Sequence, residues 1–415
     1  MQSMSLLPHT YQGTIRIPGS KSQTIRATLI ATFAHGVSTI TGVLQSRDTK
    51  ACFHLAESLG AKLSFSEDGS TLTVDSTHLA LRDGLVLDCM NSGTTLYLAT
   101  AMLATLPFRF TITGDGQLQK RPVKPLLDAL VSLGAKCEGD HAPFSSQGPI
   151  AGGTCTIECP TSQYLSALLL GLAMADGASE IEVPLLYERP YVGMTLRWLD
   201  EQGISYQANG DWSHFHVDGR QRYQPVRAQV PGDYSSASFF FALAALDGSA
   251  ITVTGLERND SQGDKEILRI LEAMGCEVTY GEHSVTVTGG KRLQGGTFDL
   301  NNIPDALPAL CVVATACEGT VRLANVAQAR IKETDRIAVM RMELEKLGAE
   351  VTEEPDGIII HGGKPLHRAA VKGHGDHRII MALSVLSSKV PLTIDDTSAV
   401  DVTFPSFYSL LERLR

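Results

Sequence analysis

The 415-residue sequence predicts an α/β protein of two similar domains, each made of three βαβαββ repeats in an inside-out α/β barrel, with a ligand cleft between the domains. Three observations predict it. A small residue or proline followed by a short β-like run recurs at Gly36 (GVSTITG), Pro107 (PFRFTITG), Gly177 (GASEIEV), Gly248 (GSAITVTG), Gly319 (GTVRLAN) and Val390 (VPLTIDD), in steps of 71, 70, 71, 71 and 71 residues. A period this regular marks repeated supersecondary units. The run leads into a polar loop and a surface helix that stops at Gly60, Gly134, Gly203, Gly275 or Gly348, where a helix end favours a left-handed residue. It is preceded by about a dozen mostly apolar residues: TIRATLIATFA, TLYLATAMLA, YLSALLLGLAMA, ASFFFALAAL, ALPALCVVATA and RIIMALSVLSS. Helices apolar on nearly every face belong at the centre of a fold.

Taken in order, Thr14 to Pro18 reads as the first strand, Pro18-Gly19 as a turn, Ser20 as a cap, and Thr24 to Ala34 as the first buried helix. The sixth unit is incomplete, because the helix from Phe404 to Arg415 has no strand after it. Thr14 to Pro18 would supply the missing piece, which places the N-terminal strand with the C-terminal residues. Residues 1–19 with 230–415 then form one domain and 20–229 the other, with hinge crossings near 19–20 and 229–230.

A net charge of −10 and a pI of about 5.6 argue against a nucleic-acid or anionic membrane surface, so an anionic ligand must meet a focused cationic cluster. There is no run of about 18 apolar residues, and MQSMSLLPHTYQG does not read as a leader, so a cytoplasmic protein is expected. The eight cysteines lack a CxxC pair and read as small buried hydrophobes, with no metal site.

The starts of the six apolar helices are polar: GSKSQTIR, NSGTTLY, PTSQYLS, GDYSSAS, NIPDALP and HGDHRII. Alone, each is a cap; six at equivalent positions would line a cleft suited to anions. Ser22 and Arg26 stand four apart and share a helical face. Loops after the first strands add Arg47, Lys120, Arg121, Lys124, Arg189, Arg258 and the segment Arg330 to Arg336, in which Lys332 and Arg336 are expected on one helical face beside Glu333. Nucleotide-binding, zinc-hydrolase and acyl-serine signatures are absent. Asp305 and Glu333 among Lys21, Arg26, Arg121, Lys332, Arg336 and Arg378 point to acid–base chemistry on phosphorylated or carboxylated small molecules.

The segments PGSKSQTIR, NSGTT, QKRP, TSQY, VPGDYSSAS, IPDALP, IKETDR and GHGDHR, in this order across essentially the whole chain, resemble the 5-enolpyruvylshikimate-3-phosphate synthase family. The resemblance implies a cleft that closes on substrate and transfer of the enolpyruvyl group of phosphoenolpyruvate to shikimate 3-phosphate, without a metal or cofactor, by a monomer. Carried over residue by residue, it implies that Lys21, Ser22, Arg26, Thr161, Ser162 and Gln163 hold shikimate 3-phosphate, with Lys332 nearby and Asp305 as the base. Gly93, Arg121, Gln163, Arg336 and Arg378 would grip phosphoenolpyruvate, with Lys21 shared. Glu333, beside Lys332 and Lys21, would give and retake a proton. Room beside Gly93 implies that glyphosate competes with phosphoenolpyruvate.

Tyr97 stands where many members carry Arg, Glu188 where many carry a phosphate-binding Ser, Gln328 in place of Asn, and Val402 in place of a Lys found in some members. A Glu188 carboxylate would repel phosphate unless it pairs with Arg189 or turns away. Transfer to a UDP-amino sugar would call for a Cys in the Gly114 to Arg121 loop, which has none. An RNA 3′-phosphate cyclase would call for a basic stripe. A non-catalytic paralogue would not need Asp305, Glu333 and Arg378 together.

Overall fold

The computed structural model describes residues 3–415. Among the described residues, five four-stranded mixed sheets and one three-stranded sheet alternate with helices. In the second repeat, Leu85–Asp88 runs parallel to Arg109–Thr113 across the helix Gly93–Leu103, and the antiparallel strands Phe144–Gln147 and Lys136–Glu138 complete the sheet. The same order recurs in the other four-stranded sheets. The strands expected inside GVSTITG, PFRFTITG, GASEIEV, GSAITVTG, GTVRLAN and VPLTIDD all form. Gly60, Gly134, Gly203, Gly275 and Gly348 all take positive φ after their helices.

The chain divides into two compact units, Met1–Pro18 with Pro231–Arg415, and Gly19–Val230. In the first, the helices Tyr234–Asp247, Leu307–Ala314 and His377–Leu386 pack on one another. In the second, Gly93–Leu103 packs on both Lys21–Phe33 and Ser162–Leu172. Every residue of Gly93–Leu103 and of Leu307–Ala314 is buried, as helices without a polar face require. Gly171 lets Ser162–Leu172 approach Gly93–Leu103 closely: a Cβ there would stand 2.6 Å from the Ala101 carbonyl oxygen. Among the described residues no helix is long and apolar enough to cross a membrane.

Three local expectations are corrected. Thr14 to Pro18 does not complete the sixth sheet. Strand Gly13–Arg16 lies parallel to Ala250–Thr254 in the fourth, and Met4–Leu6 adds antiparallel to Leu392–Ile394 in the sixth. In exchange, Arg227–Gln229 lies parallel to Val37–Thr41 in the first. The first buried helix begins at Lys21 rather than Thr24, and Ser20 holds the cap position without a side-chain bond. Instead Thr24 Oγ1 donates to the Ser20 carbonyl and accepts from Leu44 N, so the turn is tied from inside the helix. Finally, Lys332 and Arg336 do not share a helix face. A 3-10 turn, Ala327–Ile331, ends before Lys332, and the helix begins only at Arg336, capped by Asp335 through Ala338 N.

Candidate active site

The densest charge cluster lies in the unit containing the C-terminal residues and is assembled from three helix starts. Pro304 opens a 3-10 turn, Pro304–Ala306, that presents Asp305 ahead of the helix Leu307–Ala314. Arg336 is the first residue of Arg336–Lys346. Asp376 caps His377–Leu386 by accepting from Arg378 N at 2.9 Å, which sets Arg378 in the first turn.

Arg336 is 1% exposed and serves three carboxylates. Its Nη1 donates to Asp305 Oδ1 at 2.8 Å, its Nε to Asp376 Oδ2 at 2.9 Å, and its Nη2 to Glu333 Oε2. The Arg378 Nη2 lies 2.8 Å from the other Asp305 oxygen, so one carboxylate is gripped by two guanidinium groups. Thr334 Oγ1 donates to Asp376 Oδ2 at 3.0 Å. Burial alone would raise the Asp305 pKa, yet Arg378, Lys332 and Arg336 outweigh it and hold the carboxyl well below the usual range. The Arg336 guanidinium is itself desolvated, and Asp376, Glu333 and Asp305 more than restore its protonated form.

His377, between Asp376 and Arg378, is a site residue that the motif reading passed over. It is buried with both ring nitrogens lacking a hydrogen-bond partner, and burial pulls its pKa down to about 3. An Asp-His-Arg run at the start of an otherwise apolar helix was the available signal. Gln328 donates to Asn301 O at 2.8 Å while its Oε1 is buried without a hydrogen-bond partner. Val402 is buried in the 3-10 turn Ser398–Val402 and brings no charge.

The other unit supplies the remaining predicted residues. Lys21 Nζ donates to Asp48 Oδ2 at 3.0 Å. Arg26 is fully buried and rests on neutral oxygens: Ser22 O, Ser166 Oγ, Tyr191 O and, at 2.9 Å, Thr195 Oγ1. Burial draws its pKa down to about 10, so it stays charged at neutral pH. Thr161 caps the helix Ser162–Leu172 through Gln163 N, and the Oε1 of Gln163 is buried without a hydrogen-bond partner. Arg121 is buried against Gly93, where a Cβ would stand 2.3 Å from its Nη1.

The departures from the family pattern have distinct environments. Tyr97 and Tyr164 meet edge to face at 5.3 Å and both donate to the Pro122 carbonyl, which fixes the backbone next to Arg121. Glu188 does not turn away and does not pair with Arg189, whose Nη2 donates to Asp211 O. Its Oε2 accepts from Ser162 Oγ at 2.9 Å and from Ser162 N at 3.3 Å.

Several of the loop cations have local partners. Lys124 pairs with Asp128 on the surface, and Arg258 lies over the Tyr280 ring. Arg330 staples its loop to the carbonyls of Glu354 and Pro355 and to Asp335. Repeat phase alone did not distinguish these surface and loop pairings from the buried settings of Arg121, Arg336 and Arg378.

A model of the family described as EPSP synthase (3-phosphoshikimate 1-carboxyvinyltransferase) matches residues 7–411. The 3-phosphoshikimate 1-carboxyvinyltransferase of Ruminiclostridium cellulolyticum is 40% identical over 401 residues, covering 95% of this chain and 94% of its own. That of Acetivibrio thermocellus is 41% identical, covering 97% and 95%. Among solved structures, EPSP synthase from Acinetobacter baumannii matches with a TM-score of 0.83 at 28% identity, covering 100% of this chain and 98% of its own. The enolpyruvyl transferase NikO from Streptomyces tendae, at 17% identity and a TM-score of 0.82, shares the fold. With the repeats, the clustered carboxylates and cations, and full-length relatives in agreement, the chain belongs to the EPSP synthase (3-phosphoshikimate 1-carboxyvinyltransferase) family.

Proposed function

We propose that this chain transfers the enolpyruvyl group of phosphoenolpyruvate to the 5-hydroxyl of shikimate 3-phosphate and releases phosphate, a step of aromatic amino-acid biosynthesis. The observation that carries the reading is the buried set of Arg336 and Arg378 closed on Asp305, with Glu333 on the same Arg336. It supplies cations for a carboxylate substrate beside two carboxyl groups able to move protons. In this reading Ser22, Arg26, Thr161, Ser162 and Gln163 hold shikimate 3-phosphate, and Asp305 and Lys332 meet its reacting hydroxyl. Gly93, Arg121, Gln163, Arg336 and Arg378 hold phosphoenolpyruvate, and Lys21 serves both. The chain crossings at Pro18–Gly19 and Val230–Pro231 serve as hinges.

Held by two arginines, Asp305 is a weak base. The carboxylate of phosphoenolpyruvate competes for the same guanidinium groups, and each bond it takes returns basicity to Asp305. The co-substrate thus arms the base. Asp305 removes the hydroxyl proton as that oxygen bonds to C2, while Glu333, which takes up a proton from solvent when the substrate carboxylate replaces it on Arg336, protonates the methylene carbon. The resulting tetrahedral intermediate carries the acceptor oxygen and the phosphate on C2. Glu333 then takes a proton back from the methyl group, the bond between C2 and the phosphate oxygen breaks, and the double bond re-forms. Asp305 returns its proton to the departing phosphate.

The test is phosphate release from phosphoenolpyruvate with shikimate 3-phosphate, shikimate or UDP-N-acetylglucosamine as acceptor, with product masses. Turnover with shikimate 3-phosphate alone is expected. Turnover only with another acceptor would overturn the reading.

A further inference from the structure

Glu188 occupies a place that the chemistry of the acceptor would otherwise claim. Its backbone is left-handed, φ 56° and ψ 40°, a conformation sparsely populated by residues with a side chain and one that gathers at functional sites. It precedes the helix Arg189–Glu201 without giving that helix a side-chain cap. The preceding residue is pinned, since Tyr187 N donates to Cys159 O at 3.0 Å and Leu186 bridges Cys159. The side chain is 2% exposed and turns onto the neighbouring helix, where both the N–H and the hydroxyl of Ser162 donate to it.

A helix start with a free N–H and a hydroxyl is a seat for an anion. Here an anion of the chain itself occupies the seat. Close by on the same two helices, Arg26 keeps its positive charge on Ser166, Tyr191 and Thr195, all neutral. The local pattern is a buried cation and a carboxylate filling the donors beside it.

We propose that Glu188 is an internal stand-in for the acceptor's phosphate and sets how strongly this chain prefers a phosphorylated acceptor. This rests on the functional reading above, in which Ser162 and Arg26 are among the groups that hold shikimate 3-phosphate. The Ser162 donors cannot serve the Glu188 carboxylate and a phosphate dianion at full strength together, so each phosphorylated acceptor must displace an anion already seated. An acceptor with a hydroxyl in place of phosphate meets no such competition and can donate to the carboxylate. Glu188 therefore narrows the gap between the two acceptor classes, at the cost of weaker phosphate capture.

The experiment measures KM and kcat for shikimate 3-phosphate and for shikimate, with saturating phosphoenolpyruvate, in wild type, Glu188→Ser and the near-isosteric Glu188→Gln. Inhibition by inorganic sulfate against shikimate 3-phosphate is measured alongside. Both variants are expected to lower the KM for shikimate 3-phosphate about tenfold, the effect of losing one like-charge contact worth roughly one pKa unit. Sulfate inhibition should tighten in parallel, and the KM for phosphoenolpyruvate should stay within twofold. Unchanged or raised acceptor KM in Glu188→Gln, with wild type turning over shikimate 3-phosphate normally, would overturn this inference and leave the reaction standing. Wild type inert toward shikimate 3-phosphate would overturn both.

Discussion

In the unit of Gly19–Val230 the buried guanidinium of Arg26 rests on four neutral oxygens, whereas in the other unit Arg336 rests on the carboxylates of Asp305, Glu333 and Asp376. Arg26 stands in the second turn of the helix Lys21–Phe33 and Arg336 opens the helix Arg336–Lys346, and both are almost completely buried. Neutral dipoles stabilise Arg26 but leave its charge to act on a ligand. Carboxylates cancel the charge of Arg336, so a ligand there must exchange with an existing ion pair. The difference suits the proposed chemistry: one half attracts an anion that keeps its identity, and the other lends its carboxylates to proton transfer when a substrate anion arrives.

The largest effect should come from Arg336→Met, which takes one guanidinium from Asp305, Glu333 and the fully buried Asp376 together. A loss of about 3–5 kcal/mol in urea unfolding and of measurable turnover is expected. Arg26→Met removes a cation from neutral partners and should cost only about 1–3 kcal/mol. Equal losses would break the comparison. Asp305→Asn keeps a shape that both arginines can tolerate and removes the base, so kcat should fall about 10²–10⁴-fold with the fold intact. A variant that keeps its kcat would move the base elsewhere.

Gly93→Ala acts on the neutral-dipole half. Its Cβ would stand 2.3 Å from Arg121 Nη1, and the guanidinium must shift. Displacements of about 1 Å at a substrate-positioning group cost up to about 10²-fold. The expected result is a KM for phosphoenolpyruvate raised about tenfold or more, with the acceptor KM little changed; the reverse split would separate Arg121 from phosphoenolpyruvate.

The effect that leaves turnover aside concerns pH and His377. The native chain refuses this proton until about pH 3, whereas an unfolded histidine accepts it below about 6.5. The unfolded state therefore binds more protons between those limits, and stability falls as pH drops through them. Unfolding free energy should fall by about 2 kcal/mol more between pH 7 and pH 5 in wild type than in His377→Phe. Parallel pH curves would show that the imidazole charges freely in the fold.

Much of this molecule was legible before its fold. The strands in GVSTITG to VPLTIDD, the glycine stops from Gly60 to Gly348 and the all-apolar helices follow from local sterics and hydrophobic periodicity, which need only neighbouring residues. The types of the site residues were legible too, because motif segments keep Asp305, Glu333, Arg336 and Arg378 in recognisable surroundings. Tertiary structure alone decided that Gly13–Arg16 joins Ala250–Thr254 while Met4–Leu6 completes the sixth sheet, since strand partners are chosen by long-range pairing. It also broke the Lys332–Arg336 segment out of helix, left Ser20 without a capping bond, turned Glu188 onto Ser162 and buried His377 without a hydrogen bond. Each of these depends on charges, donors and apolar walls brought from distant positions, and the energy of a buried charge is set by what surrounds it rather than by what precedes it in the chain.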